Sequence, residues 1–211
     1  MKRFLIAFLA IMMIAPVTVT VSAQNKSLEK ALKKEYKNKM KEYSKNGWSL
    51  FGSSRSLDVA LLKHYEKINE LGDEAVEIVG MASGERDNVV LQHAINNACN
   101  IYARQAGSKV RGRILSDING GDDSNSEFDH FYAAYETAVE KEIKGELKQS
   151  YAIYQQSGNI KNVQVFFVVD EASATKARIR ALENAYKESE AAQKYAQKIS
   201  DFVQEAFKVE Q

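Results

Sequence analysis

Three histidines, one cysteine and two acidic clusters are the residues of this 211-residue chain whose types could do chemistry. His64, His93 and His130 fall in three different predicted helices, and none belongs to an HExxH pairing that would hold zinc on one helix face. Cys99 lies six positions beyond His93, well round a helix from it, so a thiolate–imidazole pair would need a histidine from elsewhere in the fold. Ala94, Ile95, Ala98 and Ile101 surround Cys99 and predict a buried, apolar thiol, and a single cysteine forms no intramolecular disulfide. Asp117, Asp122, Asp123 and Glu127, with Asn119 between them, concentrate oxygen ligands and make a calcium candidate. The EF-hand spacing fails, because the twelfth position from Asp117 is Phe128 and not a glutamate. Glu136, Glu140, Glu142 and Glu146 suggest paired carboxylates for acid–base work, but Lys141, Lys144 and Lys148 interleave with them as on a solvated, ion-paired helix face. P-loop, GxGxxG, GxSxG and CxxC patterns are all missing, so no cofactor is expected.

The elements that would carry these residues are mostly helices, since the one proline, Pro16, precedes all of them. Helical spacing predicts helices over Ser27–Asn46, Ser56–Leu71, Asp87–Ile118, Ser126–Leu147 and Glu171–Val209. In the second of these, Val59, Leu62, Tyr65, Ile68 and Asn69 form the expected stripe. The last carries a heptad-like seam of Leu182, Ala185, Ser189, Ala192, Ala196, Ile199, Val203 and Ala206, which offers a homodimer contact. Four short stretches read as strands: Trp48–Phe51, Ala75–Ala82, Gln149–Gln155 and Lys161–Asp170. The fourth alternates Val163, Val165, Phe167 and Val169 against Gln164, Phe166 and Val168, apolar on both faces, as a central covered strand is. Ser157-Gly158-Asn159 joins the last two as a hairpin, and Gly80 and Gly84 signal a bulge or a close backbone approach. The expected fold is α+β: about four mostly antiparallel strands in one domain, with long helices packed mainly on one face and with 24–46 and 199–211 able to project as arms.

Two surface features suggest binding. Lys33, Lys37 and Lys41 recur four apart on the first helix, within a lysine-rich face suited to an anionic lipid or glycan. Trp48, just past the helix-stopping Asn46-Gly47, offers an aromatic platform for a sugar or an anchor for the core.

The leader supplies an address. Lys2 and Arg3 precede an apolar run from Phe4 to Pro16, and Val21-Ser22-Ala23 places small residues at the −3 and −1 positions of a signal-peptidase cut before Gln24. The apolar run is too short to stay as a stable membrane span, and Gln24 is not a lipid-anchoring cysteine. Removing Lys2 and Arg3 from 29 basic residues leaves 27 against 28 acidic ones, a net charge of about −1, which is no footprint for a nucleic-acid binder.

Gly47-Trp48 with Phe51-Gly52-Ser53-Ser54-Arg55-Ser56-Leu57, then Asn96-Asn97-Ala98 with Tyr102-Ala103, Phe128-Asp129, Phe131–Tyr135 and Val139–Leu147, resemble uncharacterised secreted proteins of Bacteroides-type bacteria. More distantly, the layout is similar to the Helicobacter outer-membrane lipoprotein antigen family, in which a strand, an alanine-rich helix and a hairpin like Val163-Gln164-Val165-Phe166 form a small α+β domain. The resemblance implies a compartment and a fold, and it carries no functional residue. The expectation is an exported, non-enzymatic binding or scaffolding protein of the periplasm or cell exterior, partnered by an envelope protein or glycan. Two alternatives stand beside it: a hydrolase on cell-wall or host glycans, with Glu136 or Glu140 beside His130, and a self-assembling protein joined through its C-terminal helix.

Overall fold

A computed structural model describes residues 18–118 and 128–204. The elements follow in the order α1 (Thr18–Lys45), β1 (Ser49–Leu50), α2 (Leu57–Leu71), β2 (Ala75–Gly84), α3 (Asp87–Asp117), α4 (Asp129–Glu146), β3 (Gln149–Ser157), β4 (Ile160–Asp170), α5 (Glu171–Ala185), α6 (Glu190–Lys194) and α7 (Ala196–Gln204). The strands form one antiparallel sheet in the order β1-β3-β4-β2. The fold is therefore α+β, and β4 is covered on both sides as its two apolar faces require. Ser157 pairs with Ile160 across a two-residue turn in which Gly158 takes a positive φ of 59°, the conformation that a tight hairpin asks of its first turn residue.

The three longer strands, β2, β3 and β4, divide their side chains between two cores. Val163, Val165, Phe167 and Val169 point into the larger one, built with α3, α4, α5 and α7 from Ala98, Cys99, Phe131, Tyr135, Val139, Leu182, Ile199 and Val203. Cys99 is buried there, and burial raises its thiol pKa, as the apolar neighbourhood predicts. Phe166, Tyr151 and Ile153 point the other way, into a smaller core closed by Tyr43 of α1 and by Ala60, Leu61 and Tyr65 of α2. In it the Tyr151 and Phe166 rings stack at 4.3 Å, and the Tyr43 and Tyr151 hydroxyls meet at 3.2 Å, so both phenols keep a partner away from water.

Two expectations change in detail. α1 starts at Thr18, so Ser27, the expected first residue, lies inside the helix. From Leu32 onward this segment packs on the second core through Leu32, Tyr36, Met40 and Tyr43, and does not project. The expected last helix is three pieces. A 3-10 turn at Tyr186–Glu188 ends α5, and the Ser189 hydroxyl accepts from Ala192 N–H to cap α6, which turns the chain back. The seam residues Leu182, Ala185, Ala192, Ile199 and Val203 are therefore buried within one chain, and Ala206 lies outside the described residues.

α5 follows β4 directly, because Asp170 is both the last strand residue and the helix cap. One carboxylate oxygen accepts from Ser173 N–H at 2.8 Å and the other from Ser173 Oγ–H at 2.9 Å. The Ser173 amide holds the Asp170 carboxyl below the usual carboxylate range. A pKa lower in the folded than in the unfolded chain gives stability that is full above the ordinary value and is lost as pH falls from there through the folded value. Asp170→Ala is expected to cost about 1 kcal/mol at neutral pH. The gap between variant and parent melting curves should narrow as pH falls below the ordinary carboxylate range and through the folded value, read by circular dichroism across pH.

Candidate functional site

The described surface is opened between α1 and α2, an antiparallel pair lying over the smaller core. α1 supplies Leu32 and Tyr36 to that core, and α2 supplies Leu57, Leu61, Tyr65 and Ile68. Ser56 caps α2 by accepting from Val59 N–H at 3.3 Å, which fixes the entry of the helix and hence which face it turns inward. The buried residues of α2 are Ala60, Leu61, His64 and Tyr65, with Leu57 and Ile68 half-buried beside them; of the expected stripe Tyr65 and Ile68 face the core, whereas Val59, Leu62 and Asn69 are exposed. His64 is the reason: it is 2% exposed, its Nδ1 lies 3.0 Å from Ser150 Oγ, and its Nε2 lies 3.6 Å from the Glu77 carboxylate. Tyr65, Tyr151 and Phe166 stand edge-on to its ring. A polar residue thus occupies a core position, and Val59 and Leu62 are displaced to the surface at 40% and 45% exposure.

Leu62, with Val59 one turn before it on the same helix, belongs to a groove of about 350 Å³ lined by Glu29, Leu32, Lys33, Tyr36 and Lys37 of α1 and by Leu62, Tyr65, Glu66 and Asn69 of α2. The Tyr36 hydroxyl donates to the Asp58 carboxylate, which raises the phenol's pKa and ties the two helices across the groove. Burial, followed by the neighbouring Glu35 carboxylate, likewise raises the Tyr65 phenol. Both phenols therefore stay neutral, and the floor is apolar with hydroxyl tips.

The structure brings Lys33 and Lys37 to this groove and places Lys41 one turn further along the same exposed helix face. Trp48 is half-buried against the smaller core, beyond the end of α1 and outside the groove lining. Leu62, Glu66 and Asn69 complete the groove from α2. The sequence signal that could have pointed to them was a helix with one apolar residue too many for a single buried stripe.

The other candidates disperse. Asp117 sits at the end of α3, paired with Arg113 at 3.1 Å and accepting from Ser116 Oγ–H at 2.6 Å. Asp122, Asp123 and Glu127 lie outside the described residues. Among the described residues, no group of three or more histidine, cysteine or acidic side chains is placed to hold a metal ion. Glu142 and Glu146 hold Arg180 from two sides at 2.6 Å each, Glu136 packs against Gly107, and Asn100 donates to Glu140 at 3.5 Å. His93 and His130 are exposed. No helix among the described residues is long and apolar enough to cross a membrane. Comparison with protein families, with curated proteins and with solved structures gave no match.

Proposed function

We propose that this is an exported, non-enzymatic binding or scaffolding protein of the cell envelope that docks an amphipathic, acidic segment of a partner protein on its α1–α2 face. The observation that carries this reading is exposed Leu62, followed one turn back by exposed Val59, on one rim of a groove whose other rim presents Lys33 and Lys37. A stripe of apolar side chains along a helical groove suits a partner helix laid into it, and the lysine row favours acidic residues on that helix. The leader pattern before Gln24 supports export. A cut there would leave the groove whole, since its first residue is Glu29.

The test is a photo-crosslinking amino acid placed at Leu62 in the native cells. A discrete adduct that forms at Leu62 and fails when Lys33, Lys37 and Lys41 are all changed to Glu supports the reading. Each exposed ion pair contributes up to about 1 kcal/mol, so the triple reversal should weaken binding by roughly 10- to 100-fold. An adduct that survives charge reversal, or a chain found in the cytosolic fraction with its leader intact, would sink the proposal.

A further inference from the structure

A second recognition surface lies at the opposite end of the sheet order, on the open edge of β2. The two edges differ. β1 is only two residues long, whereas β2 runs for ten residues without a break in its pairing to β4, from Ala75 opposite Asp170 to Gly84 opposite Lys161. Native sheets blunt long edges with bulges, prolines or lysines, and β2 has none of these. It has one local cover: Asn97 of α3 reaches over and accepts from Met81 N–H at 3.0 Å. That bond also fixes the parity of the strand, because successive residues of an antiparallel strand turn their backbone groups to opposite sides. With Met81 directed outward, Glu77 and Val79 also direct N–H and C=O to the open edge, and no partner for these groups is found among the described residues.

A cleft of about 650 Å³ runs beside this bare stretch, between Ala75, Val76 and Glu77 on one side and Tyr102, Arg104, Gln105, Ser108 and Lys109 of α3 on the other. Arg104 is exposed and pairs with no carboxylate among the described residues. The other face of the sheet presents the Glu77 carboxylate, 42% exposed. We infer that the Ala75–Val79 edge of β2 binds an extended partner segment as a fifth strand, with acidic side chains on its α3 side and a basic one opposite Glu77. Backbone bonding would supply affinity, and the opposite charge of the two faces would set which alternation of side chains is accepted. A second copy is disfavoured as the occupant, because two-fold pairing about Glu77 sets two carboxylates directly across from each other.

The probe is the capped hexapeptide acetyl-TEKEVT-amide, compared with acetyl-TKEKVT-amide, in which the charges are exchanged between faces. The first should bind the full protein at least about tenfold more tightly, a difference that shrinks with added salt. Its binding should slow hydrogen exchange at the Glu77 and Val79 amides. Val79→Pro removes one outward donor at an edge position that tolerates proline and should abolish the protection at the remaining Glu77 amide. Arg104→Glu, an exposed change that leaves the strand untouched, should reverse the preference between the two peptides. The Lys33, Lys37 and Lys41 reversals on α1 should change neither result, which separates this surface from the α1–α2 groove. Equal binding of both peptides, or no binding of either, overturns the inference. So does protection of the Glu77 and Val79 amides before any peptide is added, since a second copy or another part of the chain would then already hold the edge.

Discussion

Gly80→Ala should lower the melting temperature by roughly 6–12 °C, corresponding to about 3 kcal/mol of overpacking in a chain of this size. A Cβ built at Gly80 would collide with the carbonyl oxygen of Ala94 and would lie 2.7 Å from Ala98 N and 2.8 Å from Ala98 Cβ. Two of these three atoms are backbone of α3, so no side chain can swing aside and the helix itself must lift off the sheet. The lift would open the larger core where it is most tightly closed, because Ala94 and Ala98 are fully buried. Gly112 is the control. It lies in the same helix with no atom within 4 Å of an added Cβ, so Gly112→Ala should gain about 1 kcal/mol from helix propensity alone. Chemical denaturation of both variants checks the pair, and a Gly80→Ala protein as stable as the parent would show that α3 does not approach β2 as described.

The second large effect is expected at Glu171. Arg178, 2% exposed, donates to the Glu171 carboxylate at 2.5 Å, to Tyr102 Oη and Thr175 Oγ1 at 2.7 Å each, and to the backbone carbonyl of Val203 at 3.3 Å. One guanidinium thus joins α5 to α3 and α7. Glu171→Ala leaves that buried cation without its carboxylate at this contact, and the cost should be about 3–5 kcal/mol. Arg178→Met, which fills the volume without a charge, should cost less, and the double variant Glu171→Leu with Arg178→Met should recover part of the single loss, since a buried ion pair is often replaceable by apolar side chains. Amides of α7 should exchange faster in both Arg178 variants, because the bond to Val203 is gone. A double variant no more stable than Glu171→Ala would refute this account.

The elements read correctly from sequence are those whose pattern has a single cause. β4 announces a central position by being apolar on both faces, and Gly80 announces a close approach because no other residue fits there. The misreadings come where one residue competes with a pattern. His64, a polar side chain in a core position, hides the true stripe of α2 and makes Val59 and Leu62 pass for core. In the C-terminal region the heptad spacing is real, but Ser189 acts as a cap, and a turn before it folds the seam back against its own chain. Half of the α1–α2 groove is visible as the spacing of Lys33, Lys37 and Lys41. The other half appears only when tertiary pairing lays Leu62, Glu66 and Asn69 beside them, which no local pattern records. The Arg178 network is long-range for the same reason: its partners span from Tyr102 to Val203.

Because the sheet separates two cores of unequal size, the chain carries its own optical label for the smaller one. Trp48 is the only tryptophan, and it packs on the side closed by α1 and α2, while the larger core contains tyrosine and phenylalanine but no indole. Indole emission therefore reports on detachment of the N-terminal helical hairpin, and near-ultraviolet tyrosine dichroism also carries the larger half. Whether the two signals change together or in sequence on warming measures how tightly the sheet couples its two sides.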